Sequence, residues 1–158
     1  MKPSLSVIMP AYNQAQNLKL AFESTLRALA EAGIYDYEIL LVTSVAKDGS
    51  HDGTPDVADE IASVNPRARH LFDNSFQNLG YRFRQGAITA RKEYISWVPG
   101  DNETVENSVA SIFGHIGEAD IIISHTSNKQ VRKWKRRFVT TSDCISRRRH
   151  PHASACSS

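Results

Sequence analysis

The sequence predicts an α/β domain: a mainly parallel sheet flanked by helices. Three observations predict it. Short apolar runs at Leu5–Met9, Tyr37–Val42 and Tyr94–Val98 stop at, or just before, clusters rich in Pro, Gly, Ser, Asn and Asp. Stretches with apolar residues at helical spacing separate these runs. The second run, Tyr-Glu-Ile-Leu-Leu-Val, is nearly all apolar, as strands covered on both faces are.

The elements follow in order. Leu5–Met9 is a buried strand closed by Pro10. Asn17 caps a helix whose Leu18, Ala21, Phe22, Thr25, Leu26 and Leu29 share one face, and Gly33 ends it. Tyr37–Val42 is the second strand. Thr54 caps the next helix, Pro55 fits its first position and Asp56 suits the positive end of its dipole. Val57, Ile61 and Val64 lie on one side of it. Arg69–Phe72 makes a weak third strand. Residues 80–92 are helical, with Phe83, Ala87 and Ala90 inward. Tyr94–Val98 is the fourth strand, and Pro99-Gly100 turns the chain. Thr104 caps a helix carrying Val109, Ile112, Phe113 and Ile116, and Ala119–Ser124 is the fifth strand. Strict alternation of strand and helix implies parallel pairing through right-handed crossovers.

The 158 residues suffice for one domain with a real core, and 41% hydrophobic with 23% charged residues is a globular composition. No run reaches the roughly 18 apolar residues of a membrane helix. No signal peptide is evident at the start. Two cysteines, Cys144 and Cys156, have neither metal-ligand spacing nor the density of a disulfide scaffold. A reducing cytoplasm is the expected compartment. The net charge of +2 hides an asymmetry. Residues 1–125 hold 10 Lys/Arg against 16 Asp/Glu, whereas residues 126–158 hold 9 Lys/Arg and one acid, Asp143. The division expected is an acidic body over residues 1–127 and a basic tail, loose or partly helical, over 128–158.

Several segments carry chemistry. Pro10-Ala11-Tyr12-Asn13 ends the first strand. Backbone groups there are free to bond a base or ribose, with Tyr12 packed beside it; a plain turn with a packed Tyr has the same composition. Asp48-Gly49-Ser50-His51-Asp52-Gly53-Thr54 follows the second strand. Asp48 suits an acceptor for base or ribose, and the segment equally suits a tight turn before a helix. In Asn78-Leu79-Gly80, the glycine lets backbone approach a phosphate and Arg84 can neutralise it; the alternative is a solvated surface Arg. Arg82, two residues from Arg84 on a helix, points elsewhere.

Trp97-Val98-Pro99-Gly100-Asp101-Asn102-Glu103 places two carboxylates just past a strand. Asp101 and Glu103 can face one cation, since Mg²⁺ or Mn²⁺ needs only one or two carboxylates when substrate phosphates complete its shell. Helix capping before Thr104 is the competing use. No Ser/His/Asp or Cys/His arrangement is visible. Val131, Trp134 and Phe138 fall at amphipathic spacing among cations. They suit an anionic membrane surface, a nucleic acid or packing on the domain. The acidic body argues against a specific nucleic-acid partner.

Taken together, these segments resemble the family-two glycosyltransferases, inverting enzymes with the Rossmann-like GT-A fold. Within them the likeness is to the branch of polyprenyl-phosphate sugar synthases. It runs from about Ser6 to about Arg137 and rests on the order and spacing of four motifs: Ser6–Asn13, Asp48–Thr54, Leu79–Gly86 and Pro99–Glu103. The resemblance implies a nucleotide-diphosphate-sugar donor with Pro10, Ala11, Tyr12 and Asp48 on the nucleoside. Arg84 would approach the diphosphate, and Asp101, beside the nucleotide, would hold Mg²⁺ or Mn²⁺ with Glu103. It implies direct displacement with inversion and polyprenyl phosphate as an acceptor, and the basic residues around Trp134 permit peripheral contact with the inner membrane face.

Two departures stand out. The second strand leads through Thr43-Ser44-Val45-Ala46-Lys47 to Asp48, with Lys47 where the family carries an acid. Family members also continue past the fifth strand into an acceptor half that supplies the catalytic base. No such half is recognisable here, so no base is assigned, and residues from Thr140 read as unrelated sequence, as a truncation or altered reading frame would give. Two outcomes are open: a glycosyltransferase, or a nucleotide-sugar-binding fragment without catalysis.

Overall fold

The structure, a computed structural model, describes residues 2–124 and the strand at 144–147. Five strands and four helices alternate along the first segment: β1 (Leu5–Ala11), α1 (Leu18–Glu31), β2 (Tyr37–Ser44), α2 (Thr54–Val64), β3 (Ala68–Asp73), α3 (Leu79–Thr89), β4 (Tyr94–Trp97), α4 (Glu106–Gly114) and β5 (Ile121–Ile123). A sixth strand, β6, spans Cys144–Arg147. The sheet order is β3-β2-β1-β4-β6-β5.

The first four strands in this order are parallel, as the alternation predicts. β1 meets β2 from Leu5↔Tyr37 to Ala11↔Thr43, and β4 from Leu5↔Tyr94 to Ile8↔Trp97. β2 meets β3 from Ile39↔Ala68 to Ser44↔Asp73. The fifth strand departs from expectation. It does not pair with β4; β6 lies between them and runs antiparallel to both. β6 falls inside the segment read as a tail of unrelated sequence, so part of that segment belongs to the sheet. Cys-Ile-Ser-Arg has one large apolar residue and no alternation, so it leaves no strand signal. The amphipathic stretch around Val131 and Trp134 lies outside the described residues.

Successive residues of the inner strands point to opposite faces and are buried on both. Val7, Met9, Ile39 and Leu41 join a core with Leu18, Phe22, Leu29, Ile61 and Phe113. Ile8, Leu40, Val42 and Ile95 join a smaller one with Phe83 and Ala87 of α3. At roughly 1.5–3 kcal/mol for each large buried side chain, these two layers dominate the stability of the domain. Gly86 sets how close α3 sits: a Cβ there would lie 2.4 Å from Ile8 Cγ2.

The helix starts differ in detail. Thr54 and Thr104 do not cap. Gly53, with φ of +95°, precedes α2, and Val105 precedes α4. Near α2 the reason is local: Asp52 Oδ1 accepts both the Thr54 N–H (3.0 Å) and its hydroxyl (2.5 Å), while the Thr54 hydroxyl accepts the Gln14 N–H at 2.7 Å. Asn17 precedes α1 without a capping bond. Asn78 does cap α3, accepting the Tyr81 N–H at 2.9 Å.

Candidate functional site

The chain runs from β1 outward to β2 and β3, then returns to place β4 on the other side of β1. Strand order reverses there, and the crevice beyond the C-terminal ends of β1 and β4 is where open α/β sheets take ligands. Pro10, Ala11 and Tyr12 stand at this point. The Val98 and Gly100 amides donate to the Ile8 and Pro10 carbonyls, at 3.0 and 3.1 Å, and carry β1 against the segment before Asp101. A Cβ on Gly100 would lie 3.0 Å from both Ala11 Cβ and Leu18 Cδ1, so glycine permits this approach.

The loops at this edge turn through left-handed residues: Asn13 after β1, Gly49 and Gly53 after β2, and Asn102 after β4. Outside glycine, Asn is among the residues that best tolerate this conformation. One device recurs along the edge. Asp48, Asp52, Asp73 and Asp101 each accept the backbone N–H two residues on, from Ser50, Thr54, Ser75 and Glu103, all at 3.0 Å. These Asx turns fix each carboxylate by its own loop. The hydroxyls of Ser50 and Ser75 add bonds of 2.6 and 2.7 Å. Those hydroxyls are the main reason Asp48 and Asp73 sit below the ordinary carboxylate range. Asp52 is also lowered: burial pushes it up, but the bonds from the Thr54 hydroxyl and the Ala15 and Thr54 amides outweigh it. Its second oxygen takes the Ala15 N–H at 3.1 Å, which ties the loop after β2 to the loop after β1.

Tyr12 meets Phe76 edge-on at 6.0 Å, and Lys47 lies 5.5 Å from the Phe76 ring centre. Arg82, rather than pointing elsewhere, is buried with its guanidinium 5.1 Å from the Tyr12 ring. It donates from Nε and Nη2 to the Gln77 carbonyl, at 3.2 and 2.7 Å. Burial lowers its pKa from the ordinary value, with Tyr12 opposing. Arg84 is exposed on the same helix. A cavity of about 450 Å³ opens beside these groups, lined among others by Thr43, Phe72, Asp73, Gln77, Tyr81 and Arg82. Ser44 Oγ, at the end of β2, is buried without a hydrogen-bond partner among the described residues. A hydroxyl–imidazole–carboxylate chain, unseen in the sequence, does exist here: Thr43 Oγ1 lies 2.6 Å from His70 Nε2, and His70 Nδ1 lies 2.7 Å from Asp59. Thr43 is fully buried, so the chain ties β2, β3 and α2 together.

Asp101 is half-buried and Glu103 exposed. Among the described residues no group of three or more His, Cys, Asp or Glu could hold a metal by itself. The donors fit a hard cation whose shell is completed by phosphate oxygens. The charge of the edge favours the same arrangement. Among the described residues of these loops and α3, Asp48, Asp52, Asp73, Asp101 and Glu103 stand against Lys47, Arg82 and Arg84.

The model of glycosyl transferase family 2 matches residues 6–153. The chain belongs to that family. It is 27% identical over 130 residues to the glycosyltransferase GlyG of Streptococcus pneumoniae, covering 81% of this chain and 40% of that one. It is 27% identical over 142 residues to the dolichyl-phosphate beta-glucosyltransferase ALG5D of Trichomonas vaginalis, covering 85% and 43%. In fold it is similar to the mannosyltransferase PcManGT from Pyrobaculum calidifontis, solved with GDP-Man and Mn²⁺, with a TM-score of 0.52, 19% identity, and 73% and 33% of the two chains covered. The family and the GT-A-type α/β architecture expected from the motifs are those found. This family-2 chain spans about two-fifths of the length of the curated relatives it matches. The match runs through β6, in keeping with that strand's place in the sheet. No helix among the described residues is long and apolar enough to cross a membrane.

The structure thus gathers Pro10, Ala11, Tyr12, Asp48 and Asp101 at one edge and leaves Arg84 outward. Sequence reasoning missed Asp73, although Asp73-Asn74-Ser75 repeats the Asp-x-Ser of Asp48-Gly49-Ser50. It also missed the Asp52–Thr54 clamp and Arg82; helical spacing argued against Arg82, and no sequence signal favours it over Arg84.

Proposed function

We propose that this family-2 chain binds a nucleotide-diphosphate sugar with Mg²⁺ or Mn²⁺ and serves as the donor half of an inverting glycosyl transfer. The observation that carries the reading is the position of Asp101. It is a carboxylate fixed by its own loop at the point where strand order reverses. Pro10, Ala11, Tyr12 and Asp48 hold the nucleoside, and Ser44 Oγ offers a further donor or acceptor. Arg82, or Arg84 after a rotamer change, meets the diphosphate. Asp101 and Glu103 hold the cation, which when bound supplies charge neutralisation at the leaving diphosphate. An acceptor oxygen attacks the anomeric carbon as the bond to the diphosphate breaks, which inverts that centre. The relative named for dolichyl-phosphate glucosylation supports polyprenyl phosphate as the acceptor, met at a membrane inner face by the basic residues after 125.

A second reading is donor binding by these residues without transfer; the chain spans about two-fifths of the relatives' length. Calorimetry with UDP, GDP and their sugars, with and without Mn²⁺, tests what both readings share. Metal-dependent binding of one nucleotide is expected; no metal-dependent binding of any sinks both. Turnover with polyprenyl phosphate then separates them, because release of nucleoside diphosphate identifies a transferase.

A further inference from the structure

The opposite edge of the sheet, at the N-terminal ends of the strands, holds a second cavity. It measures about 470 Å³ and lies where the connections α1–β2, α2–β3 and α3–β4 enter the sheet. Four cations line it, Arg67, Arg69, Arg91 and Lys92, against two acids, Asp36 and Glu38. The acids are already engaged. Glu38, buried at the floor, accepts from Ser6 Oγ at 2.7 Å, the Arg91 amide at 2.5 Å and Arg69 at 3.0 Å. Asp36 pairs with Lys92.

Two cations remain. Arg67 and Arg91 are exposed, and no described carboxylate lies within ion-pair distance of either. The residues after 124 carry one acidic side chain, Asp143, against nine Lys/Arg. Arg67 lies 4.7 Å from the Tyr37 ring centre, a contact that holds the guanidinium at the mouth. Its planar fork, like that of Arg91, suits bidentate bonds to phosphate oxygens. The volume exceeds that of one phosphate and leaves room for the group it is attached to. Tyr35, 73% exposed, offers that group an aromatic wall.

We infer that this cavity is an anion site for a phosphomonoester, held by Arg67 and Arg91, distinct from the donor site and independent of a divalent cation. Unlike the acidic C-terminal edge, this one has cations to spare, so a phosphate enters without a metal.

The test is a titration of the 158-residue protein with glycerol 3-phosphate in the presence of EDTA, followed by amide NMR. Shifts are expected at residues 35–38, 66–69 and 91–93, with the loops after β1 and β4 unmoved. Shifts confined to residues 48–54 and 99–103, or none, would overturn the site. Arg67→Ser and Arg91→Ser should each weaken binding about tenfold, while Arg91→Lys, which keeps the charge, should retain most of it. Equal binding by the double Ser variant would also overturn the site. Folding is controlled by the spectrum itself, since shifts outside the cavity should match the parent. Sedimentation with phosphatidylcholine vesicles containing phosphatidate identifies the source. Binding lost in the double variant assigns a lipid headgroup; NMR shifts without sedimentation assign a soluble ester.

Discussion

The two edges of the parallel sheet carry carboxylates in opposite circumstances. At the C-terminal edge, among the described residues, Asp48 and Asp101 are held by their own loops, through bonds from Ser50 and Glu103. At the N-terminal edge, Glu38 is buried and met by three donors from separate elements. Burial pushes Glu38 up, but the Ser6 hydroxyl, the Arg91 amide and Arg69 together hold it below the ordinary value. A saturated buried acid stabilises the fold. An acid fixed by its own loop, exposed as Asp48 is or half-buried as Asp101 is, adds little stability and has lone pairs that a ligand can use. The acid at one edge thus ties the sheet together, whereas those at the other are fixed within single loops.

Substitutions test this division, beginning with the largest effect. Glu38→Gln leaves Arg69 without its counter-charge and should cost about 3 kcal/mol, read by urea unfolding. A cost below about 0.5 kcal/mol would mean that the charge of Glu38 is not what holds this edge. The same residue sets a pH dependence. Its folded pKa lies below the ordinary 4.5, so the unfolded chain takes up the proton first as acid is added. Its contribution is therefore complete above pH 4.5 and fades as pH falls through the lower folded value. The Gln variant should lose that part of the acid slope.

Next comes Asp101→Ala, expected to weaken Mn²⁺-dependent nucleotide binding about a hundredfold, roughly 2.7 kcal/mol, with unfolding nearly unchanged. Unaltered affinity with lowered stability would make Asp101 a capping residue and erase the contrast between the edges. Arg82→Ala should weaken the same binding about tenfold, roughly 1.4 kcal/mol, while Arg84→Ala changes it less than about twofold. The reverse ranking would restore Arg84 to the diphosphate. The smallest effect lies within the C-terminal edge. Asp52→Ala should cost about 1 kcal/mol of stability by releasing Thr54 and Ala15, as the loss of a helix cap does. Asp48→Ala, at a fully exposed position, should leave the unfolding midpoint where it is.

Much of this was legible in the sequence because the inner strands are apolar on both faces and stop at turn residues. Tyr37–Val42 could hardly be anything but a buried strand, and Pro99-Gly100-Asp101 could hardly continue one. What escaped reading depends on distant contacts. Thr54 resembles a cap, yet it is the first residue of α2, and its hydroxyl is engaged by Asp52 and by the Gln14 amide, forty residues away in sequence. Arg82 turns inward because Tyr12 and the Gln77 carbonyl receive it, and neither is visible from helical spacing. β6 escaped because a short strand placed between two partners takes its order from their ladders, not from its own four residues.

The most direct measurement is anomalous scattering from a crystal of this chain soaked with Mn²⁺ and GDP or UDP. A manganese peak is expected about 2.1 Å from an Asp101 oxygen, with the diphosphate completing its shell beyond β1 and β4. Nucleotide bound elsewhere, or manganese away from Asp101, would contradict it.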